Sequence, residues 1–365
     1  MRSFIIVIYS FVFFAGCKEE PPVNNAVVPS NLSFTVEEST TKEGLVTVEA
    51  IATNQNYFTI IFNDQDDSTI IESNSGVETY QYLQEGDFTI RVRANTSYTD
   101  YISSFKTINI DFEEPDLSDT SGYKTPLSYP GYSLIWQDEF DGTSLNQNDW
   151  NFEIGNGNGG WGNNELQYYR EENTTVANGH LTIEAKSEIY NGFNYTSSRL
   201  TTQNKVSFQY GRIDIRAKLP YSQGMWPALW MLGDNINSVG WPRCGEIDIM
   251  ELVGGNGGDN KVHGTVHWDN NGTKADYGAS TTLSSGIFAE KFHVFSIIWD
   301  SQKIVWLMDD VEYNSINITD PNLSEFRAKF FFIFNVAVGG NWPGSPDGTT
   351  KFPQKMIVDY IRVFQ

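Results

Sequence analysis

The chain is poor in the residues on which metal, redox and nucleic-acid chemistry usually depend. Its 365 residues include only two cysteines, Cys17 and Cys244, and four histidines. Two cysteines so far apart do not suggest a disulfide framework, and the sequence shows no cluster with metal-ligand spacing. Basic residues are scarce as well, since 24 lysines and arginines against 46 acidic residues give a formal charge of −22. Such a charge would repel nucleic acid and sulfated polymers, whereas a neutral polysaccharide is compatible with it.

Long apolar runs are also missing, except near the N-terminus. Arg2 precedes an apolar stretch at residues 5–14, which is too short to span a bilayer as a mature helix. The letters FAGC at residues 14–17 resemble the lipobox of bacterial lipoproteins, in which the cysteine becomes the lipidated N-terminus. We therefore predict a lipoprotein signal at residues 1–17 with lipidation at Cys17, and an ordinary secretory signal is the alternative. The acidic letters KEE that follow favour an outer-membrane lipoprotein of the cell envelope, exposed at the surface and in contact with the membrane only through its lipid.

Composition divides the next part of the chain into a tether, a small module and a linker. Residues 18–30 contain three prolines and no hydrophobic periodicity, which is typical of a tether. Residues 31–112 contain short alternating runs such as 45–50 and 88–93, which predict a small β-sandwich. This module resembles a PKD-like, immunoglobulin-like domain; we expect a spacer, and a sugar-binding module is the alternative. The acidic stretch 113–130 is predicted as a second linker.

The remaining residues, 131–365, are dense in aromatic side chains and strand-like runs. The whole chain has 14% aromatic residues, including 10 Trp, together with 31 glycines. This composition is typical of an all-β protein with many turns, and the tryptophans suit stacking against sugar rings as well as core packing. The sequence shows no long amphipathic helix, no Gly-rich phosphate loop and no internal repeat. About 235 residues of strands predict a single double-sheet jelly roll.

The stretch EIDIME at residues 246–251 carries three carboxylates within six residues. Side chains of a strand alternate between its faces, so Glu246 and Asp248 share one face and Glu251 would point to the other. One extra residue at Ile249 or Met250, forming a β-bulge, would return Glu251 to the carboxylate side. Carboxyl groups held close together raise each other's pKa, which lets one stay protonated while its neighbour is ionised. The stretch therefore predicts the acid pair of a glycosidase, and a water-exposed acidic face is the alternative.

Five further motifs occur around this stretch. They are WQDEFDG at 136–142, GWGNNELQYY at 160–169, MWPALWM at 225–231, GTVHW at 264–268 and NVAVGGNWPG at 335–344. With them, residues 131–365 resemble the laminarinase-type catalytic domain of glycoside hydrolase family 16. The resemblance implies a concanavalin-like β-jelly roll with an open cleft. It also implies retaining endo-hydrolysis of β-1,3-glucosidic bonds in laminarin-like β-glucans, a neutral β-glucan partner, no cofactor required for catalysis, and a monomer.

Carried over by position, the resemblance implies roles for individual residues. Glu246 resembles the nucleophile and Glu251 the general acid/base, while Asp248 would hydrogen-bond to the nucleophile and tune its charge. His267 resembles a cleft histidine near the acid/base. The substrate-binding residues implied by the same motifs are Trp161, Asn163, Glu165, Arg199, Trp226, Trp230, His267, Asn335 and Trp342. The alternatives are core packing for one of the two tryptophans at 226 and 230, a surface turn or salt bridge for the polar residues, and a satisfied buried ring for the histidine.

Two features lie outside this set. The resemblance allows a structural calcium ion held by Asp359 with carbonyls near Glu139 and Gly179, because oxygen ligands suit calcium. Cys244 is expected to be an ordinary buried thiol, since no neighbouring base could activate it as a nucleophile.

Several functions stay open at this point. The bulged form of the acidic motif favours laminarinases and galactan hydrolases, so mixed-linkage glucan and agar-type galactan are alternative substrates. A non-catalytic glucan-binding surface protein and a glucan-remodelling transglycosylase are the rival functions. An intact pair of glutamates favours an enzyme over a binding protein.

Overall fold

The computed structural model describes residues 27–39, 44–63, 69–82, 86–111, 116–255 and 257–365. These residues belong to two compact units, a smaller one within residues 27–110 and a larger one within residues 111–365. The predicted signal 1–17 with Cys17, and the predicted tether as far as residue 26, lie outside the described residues. Within the described part of the chain, no helix is both long and apolar enough to cross a membrane.

The smaller unit is built from two sheets. Its strands are β1 (Ser30–Glu38), β2 (Leu45–Thr53), β3 (Tyr57–Ile61), β4 (Ile70–Ser73), β5 (Val77–Gln81), β6 (Gly86–Asn95) and β7 (Tyr101–Ile110). One sheet has the order β1-β2-β5 and the other has the order β4-β3-β6-β7. Alternate residues of β2 and β6 are fully buried, among them Val46, Val48, Ile90 and Val92, as expected where one face of a strand covers a core. The PKD-like and immunoglobulin-like relationship of this unit stays a prediction.

The regular secondary structure of the larger unit is almost entirely strand. Its strands are β8 (Leu134–Asp138), β9 (Asn151–Phe152), β10 (Gln167–Tyr169), β11 (Thr174–Ala177), β12 (His180–Tyr190), β13 (Phe193–Ser197), β14 (Arg199–Thr201), β15 (Gly211–Lys218), β16 (Met225–Gly233), β17 (Glu246–Leu252), β18 (Lys261–Asn270), β19 (Thr273–Thr282), β20 (His293–Trp299), β21 (Lys303–Met308), β22 (Val311–Asn317), β23 (Phe330–Val338) and β24 (Gln354–Phe364). Short helical turns are α1 (Ile236–Val239) and the 3₁₀ segments Glu171–Asn173 and Pro321–Arg327.

These strands form two large sheets. A seven-stranded sheet has the order β19-β18-β17-β16-β23-β14-β9. A ten-stranded sheet follows the path β10-β13-β12-β24-β15-β20-β21-β22, with β11 beside β12 and β8 beside β24. Buried apolar side chains from both sheets, such as Ile247 of β17 and Ile215 of β15, belong to one core cluster. The predicted all-β, double-sheet jelly roll is confirmed.

Strand β15 is buried on both faces, although only one of them contributes apolar side chains to the core. Arg212, Asp214, Arg216 and Lys218 alternate with the core residues of this strand, yet all four are buried. Residues 116–129, which we call the strap, supply their partners. The Lys218 ammonium donates to the backbone carbonyls of Asp116 and Asp119 at 2.8 and 2.9 Å.

Two further contacts fasten the strap to the same strand. The Arg216 guanidinium donates to the backbone carbonyls of Thr120, Ser121 and Tyr123. The Tyr129 hydroxyl donates to the Asp214 carboxylate at 2.7 Å. The prediction of a linker at 113–130 therefore needs correction from residue 116 onward, because buried cations bind this backbone to the larger unit. Residues 113–115 lie outside the described residues.

Candidate active site

The three carboxylates of β17 share one face because the strand contains a bulge. Against β16, Met250 pairs with Leu229 and Asp248 pairs with Trp230, which leaves Ile249 as the extra residue. Against β18, the register likewise shifts between Asp248 and Glu251. Ile249 and Met250 both point into the core. The predicted bulge is confirmed, and it turns the side chain of Glu251 to the side of Glu246 and Asp248.

Glu246 lies between an indole and an imidazole. The Trp241 indole nitrogen donates to its Oε2 at 2.9 Å. Nε2 of His267, the residue opposite it on β18, lies 3.6 Å from its Oε1. Both neighbours favour the ionised carboxylate, which is the form that a nucleophile needs.

Glu251 has a different set of neighbours. The Trp226 indole nitrogen donates to its Oε1 at 2.9 Å. His263 is its partner on β18, so the antiparallel register puts this histidine beside Glu251 and puts His267 beside Glu246. The expectation that His267 lies near the acid/base was wrong for this reason: it lies beside Glu246 and Asp248.

Asp248 is the most deeply buried of the three carboxylates, with 2% of the residue exposed. Its Oδ2 lies 3.3 Å from Nε2 of His267 but makes no hydrogen bond with the described residues. Beneath it, the Trp306 indole nitrogen donates to its backbone carbonyl at 2.8 Å, which supports the strand next to the bulge. A hydrogen bond from Asp248 to Glu246, expected from the sequence, is not among the described contacts. Its influence on Glu246 is electrostatic instead.

Burial raises the pKa of all three carboxyl groups. For Glu246 the pKa rises to about 8, mainly through burial and then through the charge of Asp248, and His267 and the Trp241 donor oppose the rise. For Glu251 the pKa also rises to about 8, from burial and then from Asp248, against the Trp226 donor. For Asp248, burial raises the pKa to about 8 and the charge of Lys274 opposes it. At neutral pH the cluster therefore retains protons, which a general acid requires.

The carboxylates lie in a cleft of about 820 Å³ on the outer face of the seven-stranded sheet. The lining includes every residue that the sequence predicted for catalysis or substrate binding. They are Glu246, Asp248, Glu251, Trp161, Asn163, Glu165, Arg199, Trp226, Trp230, His267, Asn335 and Trp342. With the lining residues of β19, such as Lys274 and Asp276, the cleft runs from β14 to β19 across the sheet, five strand spacings in all. At ~4.8 Å per spacing this distance is roughly 24 Å, room for several sugar rings.

One end of the cleft contains a closed hydrogen-bond network. The Glu165 carboxylate accepts from Asn163, from Gln167 at 2.7 Å and from the Tyr169 hydroxyl at 3.1 Å. Asn335 donates to the same hydroxyl and accepts from the Trp230 indole at 2.7 Å. Glu165 is thus largely saturated by internal donors, and it orders the cleft wall more than it offers a free acceptor to a ligand.

The two loop tryptophans differ from each other. Trp342 is 46% exposed, and its ring meets the rings of Trp226 and His263 edge-on. Trp161 is only partly exposed, because its ring packs against Gly157 and lies 4.3 Å from the Arg199 guanidinium. Both rings line the cleft, with Trp342 the more exposed of the two, and sugar stacking by either ring stays a prediction.

Arg199 lines the cleft, and it also forms the salt bridge that was one of the alternatives for it. Its guanidinium lies 4.3 Å from the ring centre of Trp161 and 4.8 Å from that of Trp230. It also forms an ion pair with Glu153. The salt bridge is therefore present, and it holds the arginine against the aromatic rings of the cleft.

Several lining residues were not identified from the sequence, among them one tryptophan and three polar residues of β19. Trp241 lies five residues before Glu246, in a loop whose path the sequence does not indicate. Lys274, Asp276 and Ser280 project from β19 into the cleft. The turn letters at residues 270–272 and the alternation that follows could have placed them on the face that bears His267, because His267 pairs with Asp276.

The calcium site, predicted from the Asp359 carboxylate and backbone carbonyls near Glu139 and Gly179, stays a prediction. Oδ2 of Asp359 accepts from the buried Arg216 guanidinium at 2.6 Å, and Oδ1 lies 3.7 Å from His180. A cation at Asp359 would have to share that carboxylate with the Arg216 guanidinium.

Two other expectations concern metal ligands and the thiol. Among the described residues, the ligand atoms close enough to share a metal ion are those of Glu246, Asp248 and His267, within 4.8 Å of one another. All three side chains belong to the catalytic carboxylate cluster, so we do not assign a separate metal site to them. Cys244 is fully buried, and burial raises its pKa to about 11, as expected of an inert thiol.

Comparison with protein families gives two matches. The model described as glycosyl hydrolases family 16 matches residues 162–362, which includes the whole carboxylate strand. The model described as β-glucan synthesis-associated protein SKN1/KRE6/Sbg1 matches residues 22–245 and so ends one residue before Glu246.

Individual relatives agree with the first match. The chain is 44% identical over 239 residues to the clotting factor G alpha subunit of Tachypleus tridentatus, covering 65% of this chain and 34% of that one. It is 43% identical over 255 residues to a beta-glucanase of Rhodothermus marinus, covering 65% of this chain and 86% of that one. The crystal structure of the laminarinase catalytic domain from Thermotoga maritima MSB8 is similar with a TM-score of 0.59 and 47% identity, covering 64% of this chain and 98% of that one.

Proposed function

This chain belongs to family 16 of the glycosyl hydrolases, and we propose that within the family it is a retaining endo-β-1,3-glucanase acting on laminarin-like chains. The observation that carries the proposal is the bulge in β17, which brings Glu246, Asp248 and Glu251 to one face of the cleft. Each glutamate there receives an indole hydrogen bond. A retaining glycosidase needs two such carboxyl groups on opposite sides of one glycosidic bond.

In the first step, Glu251 acts as the acid and Glu246 as the nucleophile. Burial raises the pKa of both glutamates to about 8, and the reactive state is the one in which Glu251 holds the proton while Glu246, which accepts from Trp241 and faces His267, is ionised. The Glu251 carboxyl gives its proton to the glycosidic oxygen as the bond from this oxygen to the anomeric carbon breaks. The ionised Glu246 carboxylate attacks the anomeric carbon from the opposite side. The products are a glycosyl ester on Glu246 and a released sugar chain with a free hydroxyl.

In the second step, the ionised Glu251 takes a proton from a water molecule. The resulting hydroxide oxygen attacks the anomeric carbon, and the ester bond to Glu246 breaks with its electron pair returning to the carboxylate. Two inversions give net retention of the β configuration. Asp248 and His267, both next to Glu246, balance the charge that appears and disappears on the nucleophile.

The substrate class is supported by three properties. The net charge of −22 and the acidic centre suit an uncharged polymer. The cleft crosses six of the seven strands of the sheet, from β14 to β19, which suits attack within a chain. Identity of 47% to a laminarinase catalytic domain over 64% of this chain favours β-1,3-glucan among the neutral β-glycans.

The test is a comparison of substrates followed by chemical rescue. We expect the purified full chain to release reducing ends from laminarin faster than from mixed-linkage glucan or agarose. The substrate for rescue is an activated aryl β-laminaribioside. In Glu246→Ala, azide should attack the anomeric carbon in place of the nucleophile and form the α-glycosyl azide by a single inversion. Glu251→Ala with azide should form the β-glycosyl azide. Unchanged hydrolysis in either variant would reject the assignment.

A glucan-remodelling transglycosylase is the second candidate. The match of residues 22–245 to the β-glucan synthesis-associated family is the observation that favours it. The two activities share the glycosyl-enzyme and differ in whether water or a sugar hydroxyl accepts the glycosyl group. Products longer than a laminari-oligosaccharide substrate would favour transfer. A glucan-binding protein without catalysis predicts binding of laminarin without any new reducing ends.

We also propose that the chain is anchored at the cell surface through a lipid on Cys17. The proposal rests on the sequence at residues 14–20. Metabolic labelling with an alkyne fatty acid should mark the wild-type protein and leave Cys17→Ser unmarked, and protease added to intact cells should digest it. An unlabelled wild-type protein in the medium would indicate an ordinary secretory signal.

A further inference from the structure

Lys274 is a cation on the wall of an acidic cleft. It projects from β19 on the same face as Asp276, which pairs with His267 across the strands. Its ammonium lies 5.2 Å from the centre of the Trp241 ring. Within the described residues, Lys274 forms no ion pair with a carboxylate, although Asp269 faces it in the register and Asp276 is two residues away. The contact that the ammonium makes is therefore with the Trp241 ring.

Trp241 is the residue that this cation touches, and it has few other restraints. It lies in the loop between α1 and β17 and is 47% exposed. Its indole nitrogen donates to Oε2 of Glu246 at 2.9 Å, and its ring centre lies 6.4 Å from that of His267. A half-exposed indole on a loop would sample several rotamers, and only some of them can reach Glu246.

We propose that Lys274 is a positioning residue: by holding its ammonium over the Trp241 ring, it keeps the indole N–H directed at Glu246. The proposal deepens the function given above and rests on Glu246 being the nucleophile. A cation over the face of an indole is attracted by the ring quadrupole, and the indole is the best of the aromatic partners. The pair therefore fixes the side chain that donates to the nucleophile without any contact between Lys274 and that carboxylate.

The charge of Lys274 also acts on two of the carboxyl groups. Burial raises the pKa of Asp248, and Lys274 opposes that rise; it also opposes the rise at Glu251. The charged and titratable groups that face Glu246 are Asp248 and Glu251 on β17, His263 and His267 on β18, and Lys274 and Asp276 on β19. Strand β16 presents tryptophans and no titratable side chain. Lys274 is thus the permanent cation facing the carboxylates from these strands.

Direct contact with the sugar is the competing role for an exposed lysine in a cleft, and kinetics separate the two. A lysine that binds substrate equally in the ground and transition states would change KM and leave kcat unchanged. A lysine that acts through Trp241 and the nucleophile would change kcat. It would also lose its effect when the indole N–H is absent.

The experiment is a double-mutant cycle between Lys274 and Trp241 in the full chain, with laminarin as substrate. We expect Lys274→Met, which keeps the stem and removes the charge, to lower kcat by about threefold to tenfold with little change in KM. Lys274→Arg should restore most of the loss, because arginine also binds aromatic faces. In the Trp241→Phe background, Lys274→Met should have a much smaller effect. Lys303→Met, at the exposed start of β21, is the control for removing a surface charge.

A second measurement does not depend on turnover. The indole ¹⁵N–H resonance of Trp241, identified by its loss in Trp241→Phe, reports its hydrogen bond to Glu246. We expect Lys274→Met to shift it toward the position of a free indole. An unshifted resonance, additive effects in the cycle, or a change in KM alone would overturn the proposal. If wild type cleaved no glucan, the proposed function would fail while the resonance would still test the role of Lys274.

Discussion

The indole nitrogen of Trp226 lies 2.9 Å from Oε1 of Glu251 and donates a hydrogen bond to it. Trp241 has the same relationship to Glu246. Each glutamate of the cluster therefore has its own neutral donor, which supports the carboxylate without adding charge to the cleft. The two donors reach the cluster from different elements, β16 and the loop before β17.

The first prediction follows from the Trp226 donor. An N–H that donates to a carboxylate favours its ionised form, so removing it in Trp226→Phe should raise the pKa of Glu251 further above about 8. The acid must be protonated for catalysis, so the basic limb of the kcat/KM profile should move to higher pH by up to ~1 unit. Trp342→Phe alters an aromatic residue of the same wall that donates to no carboxylate, and its profile should match wild type. A basic limb that moves to lower pH would contradict the assignment of Glu251 as the acid.

The second prediction concerns stability against pH. Burial raises the pKa of Asp248 from an ordinary 3.8 to about 8 in the folded protein. A group with a raised folded pKa contributes its full stability below the unfolded pKa, and that contribution is lost as pH rises through the folded pKa. Wild type should therefore lose free energy of unfolding between about pH 4 and about pH 8 relative to Asp248→Asn, whose amide does not ionise.

Urea unfolding at several pH values in this window measures that difference. We expect the two urea midpoints to be most alike near pH 4. As pH rises, the midpoint of Asp248→Asn should exceed that of wild type by an increasing amount. Asp300→Asn, in an exposed turn, provides the control and should follow the wild-type curve. If the plots of urea midpoint against pH were parallel for wild type and Asp248→Asn, the pKa of Asp248 would not be raised in the folded protein, and Asp248 would be ionised across this pH window.

The carboxylate cluster could be predicted from the sequence because its determinants are local. The period of two puts Glu246 and Asp248 on one face, and the acid at 251 requires a bulge to join them. The aromatic and polar lining also came from short motifs whose residues lie on neighbouring strands. Register across β18 was harder, because it depends on which residue of one strand faces which residue of the next. That is why His267 was expected near the wrong glutamate.

The strap could not be predicted, because its partners are backbone atoms far away in the chain. Residues 116–129 look like a linker by composition, and nothing in them reveals that their carbonyls accept from Arg216 and Lys218. Charged residues of β15 alternate with its core residues, and they are buried as well. Burial of those charged residues is a tertiary effect that local patterns do not encode. The packing of Trp161 against Arg199 has the same origin.

The third prediction uses the exposed ring of Trp342. Because 46% of this residue is exposed, Trp342→Ala should change the free energy of unfolding little. Loss of a stacking surface should raise KM for laminarin roughly tenfold with a smaller effect on kcat, since the described contacts of Trp342 include neither glutamate and a stacked ring binds ground and transition states alike. Tyr277→Ala, an aromatic residue of β19 with 44% exposure, is the matched control and should leave KM unchanged. An unaltered KM in Trp342→Ala would remove Trp342 from the sugar-binding surface.

The fourth prediction concerns the strap. Arg216 is fully buried, donates to three strap carbonyls and is paired with Asp359. Arg216→Met should lower the free energy of unfolding by about 3 kcal/mol, because it leaves buried acceptors and a carboxylate without a partner. Limited proteolysis should then cut the chain within residues 116–129.

Lys355→Met is the control for loss of an ordinary ion pair. Lys355 pairs with Glu184 at 3.4 Å on a partly exposed surface, and such pairs contribute ~0–1 kcal/mol. Its thermal midpoint and proteolysis pattern should resemble wild type. If Arg216→Met matched it in both measurements, the strap would be a linker after all.

The last prediction concerns Gly264, which faces the bulge from β18. A Cβ at this position would lie 2.4 Å from Cδ1 of Trp306 and 2.6 Å from the Tyr313 hydroxyl. Trp306 is fully buried and donates to the backbone carbonyl of Asp248, so it cannot move without disturbing the carboxylate strand. Gly264→Ala should therefore destabilise the fold by about 1–3 kcal/mol, as overpacking does, and lower kcat for laminarin even at temperatures where the variant is folded. Gly348→Ala, where a Cβ meets nothing within 4 Å, should leave both the unfolding midpoint and kcat at wild-type values. A Gly264→Ala variant with normal kcat would show that the bulge tolerates displacement of Trp306, and that the position of Asp248 does not limit the reaction.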